Sequence, residues 1–210
     1  VGQRTQIVNA IRAHLAEFEV VAAKGSHNVD RFLDAACDMP DAAHSALDML
    51  SDQLRDTQAR IGTVTARIIE MQGEDAHARQ LATVPGVGTI PSNAFAATTP
   101  YMAAFRSARD YAAWLGLTPK AHSSGGKERL GRIFKAGNRY LRRLLYLGAM
   151  AQISARRRRR EVASGPAPDW LGQMLARKPM KVVAIALANR MARTIWALIA
   201  RGGSYRAAPA

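Results

Sequence analysis

Apolar residues recur at intervals of three and four along most of the chain, which is the spacing of one face of an α-helix. The first such segment covers residues 3–20, where Ile7, Ile11, Leu15 and Phe18 fall on one face. The same pattern predicts further helices at residues 29–37, 74–82, 90–97, 138–153, 170–176 and 179–199. The chain is therefore predicted to be an all-α protein.

The longest pattern follows Pro40 and contains no proline before Pro85. Its apolar positions alternate by three and four residues, as in the a/d seam of a coiled coil, with Thr57 as the one polar position. This seam consists of Leu47, Leu50, Leu54, Thr57, Ile61, Val64, Ile68 and Met71. It predicts a helix that pairs with a second copy in a homo-oligomer or folds against the first helix, and an ordinary amphipathic helix is the alternative. In each case the segment is a scaffold.

The second half of the chain contains less regular segments. Ser107, followed three residues later by Asp110, resembles a capping box that begins a helix. Residues 118–134 are rich in Gly, Ser, Lys and Arg and predict a loop with at most a short hairpin. Residues 156–160 are five consecutive arginines, interpreted as a solvated segment that attracts phosphates, with a disordered surface arm as the alternative. We predict two domains, a helical scaffold at residues 1–78 and a basic helical domain at residues 79–210.

Charge is distributed very unevenly along the chain. The formal net charge is +14, yet residues 1–80 contain 8 Lys/Arg and 12 Asp/Glu, while residues 81–210 contain 22 Lys/Arg and 4 Asp/Glu. A basic domain of this kind most commonly binds nucleic acid, and a solvated or membrane-facing basic surface is the alternative. The sequence therefore predicts DNA as a partner.

Two further features of the sequence concern the cellular compartment and a possible membrane span. Cys37 is the single cysteine, which excludes a disulfide framework and is typical of a cytoplasmic protein. The apolar residues 182–200 contain Arg190 and Arg193, and two central arginines argue against a membrane span. We predict a buried helix there and no membrane partner.

A Pro-Gly-apolar-Gly turn at residues 85–88 separates two apolar helical segments. This arrangement resembles the helix-hairpin-helix motif of DNA-binding proteins, in which backbone N–H groups bind a phosphate. Gly86 and Gly88 would allow the turn to approach that phosphate closely. A tight turn between two core helices is the alternative.

Ser123 and Ser124 lie in a glycine-containing loop beside many cations. A serine hydroxyl attacks phosphorus effectively only when its proton is removed and the charge developing on the phosphate is stabilised. His122 is a candidate base for the first requirement. The candidate phosphate ligands are Lys127, Arg129, Arg132, Lys135, Arg139 and Arg142. From residue types alone, a turn that grips phosphate is the commoner interpretation of such a loop.

Metal ligands are scarce in the basic half of the chain. Residues 81–210 contain four carboxylates without paired spacing, whereas a two-metal nuclease centre needs several that converge. The sequence predicts no metal site and no cofactor in this chain.

Five motifs follow one another in a characteristic order. They are VPGVG at residues 84–88, FRSAR at 105–109, AWLGLTP at 113–119, HSSGGK at 122–127 and GNRYLR at 137–142. Together they resemble the insertion-sequence transposases of the IS110 and IS116 type, a family that includes a DNA invertase and RNA-guided recombinases. The likeness extends over nearly the whole chain and is most specific between residues 81 and 148.

The resemblance implies a transposase that recombines DNA by transesterification. The family's serine-glycine pair corresponds to Ser124 and Gly125, which makes Ser124 the implied nucleophile. The resemblance also implies a guide RNA as a partner and an N-terminal RuvC-like domain that binds magnesium through four acidic residues. No position here corresponds to those acids, so we interpret the chain as the C-terminal part of the transposase.

Two local departures stand out from the family pattern. Phe134 occupies a place where a small polar residue is usual, and Pro91 with Ser92 is unusual inside the second hairpin helix. The alternative function is a catalytically incomplete module, derived from a transposase, that binds DNA or RNA.

Overall fold

The computed structural model describes residues 2–21, 40–122, 130–162 and 169–205. The chain forms two compact units, residues 1–67 and 68–210. Regular structure in the described residues is helical apart from one two-stranded sheet, which confirms the all-α fold. The helix predicted at residues 29–37 lies outside the described residues, and the domain division at residue 78 stays a prediction.

The elements in the described residues follow one another in a simple order. The helices are α1 (Gly2–Glu17), α2 (Asp41–Glu74), α3 (Ala76–Ala82), α4 (Thr89–Thr98), α5 (Ala108–Trp114), α6 (Arg139–Val162), α7 (Trp170–Arg177) and α8 (Met180–Arg201). A 3-10 turn spans Met102–Ala104, and the strands are β1 (Pro119–Ala121) and β2 (Leu130–Ile133).

Side-chain caps fix the start of several of these helices, among them α3, α5 and α7. Asp75 accepts hydrogen bonds from backbone N–H groups at the start of α3, and Asp169 does the same for α7. The Ser107 hydroxyl accepts a hydrogen bond from the Asp110 backbone N–H at 3.2 Å, so the predicted cap of α5 is confirmed. Such caps satisfy donors that the first helical turn leaves unpaired.

In the first unit, α1 packs against the beginning of α2. Its buried side chains are Ile7, Val8, Ile11 and Leu15, and they form one apolar cluster with Leu47 and Leu54. The first part of the predicted seam therefore folds against the first helix, which was one of the two arrangements left open by the pattern.

Later seam positions of α2 are more exposed. Val64 is 59% exposed and Met71 is 56% exposed, although α2 continues without interruption. No side chain in the described residues covers these positions as α1 covers Leu47. This part of the seam is thus an apolar strip on a helix surface.

The core of the second unit is built around α8, which packs against α5 and α6. Phe105, Tyr111 and Trp114 form an aromatic cluster with ring centroids 5.1–5.6 Å apart. The Tyr111 hydroxyl lies 3.0 Å from Oγ1 of Thr99, and burial raises the pKa of Tyr111 to about 12 although this hydrogen bond lowers it. Tyr111 is thus a neutral core residue at physiological pH.

Helix α8 is long and apolar enough to be a candidate membrane span by length and composition, and 44% of its most apolar window is buried inside the protein. The buried face includes Val183, Leu187, Met191 and Ile195. Arg190 and Arg193 lie on the exposed side. The predicted buried helix is confirmed for one face, and the other face is open and basic.

Helix α6 is longer than the predicted 138–153 because it continues through the arginine run to Val162. The apolar face ends at Ile153, which is why periodicity placed the end there. Arginine is a good helix former, so the backbone has no reason to stop before the Ser-Gly-Pro segment at residues 164–166. The first arginine of the run, Arg156, forms an ion pair with Asp169 at 2.5 Å. The alternative of a disordered arm is wrong for this helical backbone.

Candidate nucleic-acid interface

The serine loop connects the two strands of a small antiparallel hairpin. Pro119 pairs with Ile133 and Ala121 pairs with Leu130, with one extra residue on β2, so the ladder is irregular. Beyond the ladder, the Phe134 backbone N–H donates to the Thr118 carbonyl at 2.9 Å. Residues 123–129 lie outside the described residues, so Ser124, Lys127 and Arg129 have no described position. The two ends of the predicted loop at residues 118–134 therefore pair with each other as a short hairpin.

Two glycines allow the chain segments at the base of the hairpin to cross closely. Gly116 has φ +69° and Gly137 has φ +72°, a region that favours glycine. A Cβ at Gly137 would overlap the carbonyl oxygen of Trp114, and one at Gly116 would overlap the carbonyl oxygen of Ala136. The segment after α5 and the segment before α6 therefore meet backbone to backbone.

Arg142 holds this crossing together. Its Nη1 donates to the Leu115 carbonyl at 2.9 Å and to the Ala136 carbonyl at 2.7 Å, one on each segment. Asn138 begins α6 by accepting hydrogen bonds from the backbone N–H groups of Tyr140 and Leu141. Arg142 was predicted as a phosphate ligand, and the structure gives it contacts within the protein that sequence reasoning did not anticipate.

Exposed cations surround the base of the hairpin. Arg132 lies on β2, Lys135 follows it with φ +58°, and Arg139 begins α6. Arg143, one helical turn after Arg139, is also exposed. No described carboxylate forms an ion pair with any of these four side chains, so their charges are available to an external anion.

Lys120 extends this group and was missed by the sequence interpretation. It lies on β1, and its ammonium group sits 5.0 Å from the centre of the Phe134 ring. The unusual Phe134 is therefore the partner of a cation. A strand-forming pattern across a glycine-rich loop could have placed Lys120 on the hairpin, but three residues are too short for such a signal. We call Lys120, Arg132, Lys135, Arg139 and Arg143 the hairpin cations.

His122 follows β1 directly and is exposed. A Cβ at Gly131 would overlap the His122 ring, so the glycine on β2 lets the imidazole lie against the opposite strand. This position is two residues from Ser124 in the sequence. His122 thus remains the candidate base.

The turn at residues 85–88 lies between α3 and α4, in the order predicted. Gly86 has φ +79°, and a Cβ there would meet Nε2 of Gln152 and the carbonyl oxygen of Gly148 on α6. Nε2 of Gln152 donates to the Pro85 carbonyl at 2.8 Å. Gly88 is exposed at the N-cap of α4, with open space where a Cβ would be. Gly86 therefore contacts the protein interior and Gly88 faces outward, while their DNA contacts stay predictions.

The Pro91-Ser92 pair, which is unusual in the family pattern, lies in the first turn of α4. Pro91 lies in the first turn of α4, where the missing N–H removes no helix hydrogen bond. Ser92 is fully buried, and its hydroxyl donates to the Thr89 carbonyl at 2.9 Å and accepts from Nε2 of Gln72 at 3.0 Å. This departure from the family pattern is thus accommodated within the helical turn.

The carboxylates described in the second unit do not converge. Asp75 and Asp169 cap helices, and Asp110 lies 3.7 Å from Arg106. Within the residues that the structure describes, no group of three or more His, Cys, Asp or Glu side chains could hold a metal ion. These residues do not fit the magnesium that the resemblance implies for a RuvC-like domain.

Comparison with known proteins identifies the region that contains this site. Residues 78–163 match the family described as Transposase IS116/IS110/IS902. This range covers the turn at residues 85–88, the hairpin and the start of α6. It includes the part of the chain in which the motifs are most specific, residues 81–148.

Relatives match almost the entire chain. The protein y4pF/y4sB of Sinorhizobium fredii, named as a transposase, is 39% identical over 99% of this chain and 54% of its own length. A family 20 transposase of Pseudomonas aeruginosa is 37% identical over 98% of this chain and 62% of its own length. The transposase for insertion sequence element IS1328 of Yersinia enterocolitica is 30% identical over 96% of this chain and 60% of its own length. The chain thus spans little more than half the length of these relatives, and it belongs to the IS116/IS110/IS902 transposase family.

Proposed function

We propose that this chain serves DNA transposition by holding a DNA phosphodiester on the hairpin cations, where Ser124 attacks it. The observation that carries the proposal is the group of hairpin cations, which are exposed and have no ion-pair partner among the described residues. The relatives are named as transposases, and a transposase must bind a phosphodiester backbone. Guanidinium and ammonium groups are the side chains that stabilise such a phosphate.

The position of the serine in the sequence agrees with this arrangement. Ser124 is three residues beyond Ala121, the last residue of β1. A fully extended chain of three residues spans at most about 11 Å, so the hydroxyl can reach only phosphates close to the hairpin. Arg132 and Lys135 on the returning segment would meet the same phosphate. Ser124 is therefore the proposed nucleophile and the hairpin cations are the proposed phosphate ligands.

The proposed reaction is a transesterification that balances without a redox partner. The Ser124 Oγ forms a bond to phosphorus while the bond from phosphorus to one deoxyribose oxygen breaks. The serine proton leaves to a base, for which His122 is the candidate, and the departing oxygen takes up a proton. A guide RNA and magnesium in a RuvC-like domain belong to the same proposal for the whole protein.

DNA affinity tests the phosphate-binding part of the proposal. Replacing both Arg132 and Arg139 with alanine is expected to weaken binding of duplex DNA at least ~10-fold at moderate salt, because two phosphate contacts are lost. The slope of log affinity against log salt should fall by about 1.8, which is about 0.9 for each phosphate contact. Fluorescence anisotropy with labelled duplex at several salt concentrations measures both quantities.

A matched pair of arginines provides the control. Arg55 and Arg60 on α2 are exposed and pair with Asp52 and Asp56 at 2.7 and 3.0 Å. Replacing both with alanine removes the same formal charge but should leave the affinity and the slope nearly unchanged. Equal effects of the two double variants would show that DNA responds to net charge alone, and the hairpin site would be rejected.

The exposed strip of α2 leads us to propose homo-oligomerisation through the seam. Val64 and Met71 continue the heptad spacing that begins at Leu47, and a seam of this kind pairs with a copy of itself. Val64→Lys is expected to shift the mass of the chain in solution towards the monomer, because a charge would be buried at the interface. Analytical ultracentrifugation measures the mass. Ala66→Lys, exposed and outside the seam, should change nothing, and a wild-type chain that is monomeric at all concentrations would refute the proposal.

A further inference from the structure

A second basic surface lies on the exposed face of α8, away in sequence from the hairpin. A groove of about 680 Å³ is lined by Arg190, Arg193, Arg201, Trp170 and Trp196 among others. A neighbouring groove of about 440 Å³ shares Arg193, Trp196 and Arg201 and adds Arg106 and Arg109. We call the joined surface the α8 groove.

The arginines of α8 form a regular stripe along this groove. Arg190, Arg193, Ala197 and Arg201 follow one another at intervals of three and four residues, which places them on one face of the helix. Arg190 and Arg201 are eleven residues apart, or about 16 Å along the axis at 1.5 Å per residue. A stripe of this length and charge matches an extended polyanion better than a small anion.

Most of these guanidinium groups have no carboxylate partner among the described residues. Among the described residues, no carboxylate lies within ion-pair distance of Arg109, Arg193 or Arg201. Asp110 lies 3.7 Å from Arg106, and that pair is exposed, so its contribution is small. The groove therefore keeps a strong positive potential.

Aromatic side chains accompany the cations. The guanidinium of Arg190 lies 5.2 Å from the centre of the Trp170 ring, and Trp170 is 36% exposed. Trp196 lines both parts of the groove, and its indole Nε1 is buried without a hydrogen-bond acceptor among the described residues. Flat rings beside arginines are the combination that binds a single nucleic-acid strand, since bases stack on the rings while cations hold the phosphates.

We propose that the α8 groove binds a single strand of nucleic acid, with its phosphates on Arg193 and Arg201 and a base stacked beside Trp170. The proposal shares with the proposed function only the premise that the partner is nucleic acid, and it does not depend on Ser124. A strand bound here would be separate from the phosphodiester at the hairpin. The groove would thus recognise the phosphate backbone and the bases, which single-stranded DNA and RNA share.

Single-strand affinity tests the groove. Labelled oligothymidylate and oligouridylate of about 12 nucleotides, within the usual site size, are titrated with the chain by fluorescence anisotropy. Replacing both Arg193 and Arg201 with alanine should weaken binding at least ~10-fold and lower the salt slope by about 1.4, or about 0.7 per contact. Trp170→Leu should weaken binding at least ~5-fold through lost stacking, whereas Trp170→Phe should retain most of the affinity.

Controls separate this site from the hairpin and from general charge. Lys181→Ala changes an exposed cation on α8 outside the groove and should not alter the slope. The double alanine variant of Arg132 and Arg139 should weaken duplex binding but leave the single-strand slope unchanged. Thermal unfolding followed by circular dichroism confirms that each variant is folded.

Two results would overturn the proposal. One is full single-strand affinity in the double alanine variant of Arg193 and Arg201. The other is full single-strand affinity in Trp170→Leu, which would show that no base stacks on Trp170. Binding lost equally for both oligonucleotides supports recognition of the backbone and bases common to DNA and RNA. A loss confined to the uridylate identifies RNA as the source of the strand.

Discussion

Replacement of Ser124 by alanine is expected to abolish the covalent link between the protein and DNA. The methyl side chain has no oxygen to bond to phosphorus, and the cations that remain can bind the phosphate but cannot replace the nucleophile. DNA affinity should therefore stay within about 2-fold of the unsubstituted protein, since the proposed phosphate contacts remain in place. Ser124→Ala would thus lose the covalent reaction while it retains DNA binding.

The measurement is a denaturing gel of the whole encoded protein incubated with labelled DNA containing the element end. A slowly migrating protein–DNA species that disappears in Ser124→Ala supports the assignment. Ser123→Ala is the matched control, because it removes a neighbouring hydroxyl from the same loop and should keep the species. If Ser124→Ala retained it, the nucleophile would have to be another residue.

The same gel distinguishes the two functions derived from the sequence. A catalytically incomplete binding module would shift DNA in a native gel but form no covalent species with either serine present. A loss of DNA binding in the double alanine variant of Arg132 and Arg139 would then still locate the DNA-binding site, although no catalysis occurs. The hairpin cations are therefore tested independently of the serine.

Periodicity predicted the helices well because most of them bury one continuous face. Ile11 and Leu15 on α1, and Leu187 and Ile195 on α8, are buried at the spacing that the sequence suggested. The end of α6 was missed because the apolar face stops at Ile153 while the helical backbone continues. The spacing of apolar residues indicates which positions are buried. In α6 the buried positions end before the helical backbone does.

The site was harder to predict because its geometry depends on contacts between distant segments. Arg142 appears in the sequence as one cation among many, yet its Nη1 joins two carbonyls from segments on either side of the hairpin. Gly86 appears to be part of a phosphate-binding turn, yet its lack of a Cβ allows contact with Gly148, 62 positions later in the chain. No local pattern encodes such pairings. Of the predicted ligands on the described segments, Arg132, Lys135 and Arg139 are exposed, whereas Arg142 is only partly exposed.

A single methyl group at Gly137 is expected to destabilise the second unit strongly. Alanine there would adopt φ +72°, which costs about 1–2 kcal/mol, and its Cβ would also overlap the carbonyl oxygen of Trp114. Because that oxygen belongs to the backbone, relief requires the crossing at the hairpin base to open. Overpacking of this kind costs a further ~1–3 kcal/mol, so the total loss in the free energy of unfolding should be about 2–5 kcal/mol.

Gly202 offers a control that separates backbone strain from the overlap. It has φ +73°, nearly the value at Gly137, but nothing lies within 4 Å of a Cβ built there. Gly202→Ala should therefore show backbone strain without an overlap, although its ψ of −174° gives that strain its own size, and urea unfolding should show the larger loss at Gly137, where the Trp114 contact is added. Equal losses would mean that the crossing tolerates a side chain. A larger loss at Gly137, together with weaker duplex binding, would show that the glycine crossing keeps the hairpin cations in place against DNA.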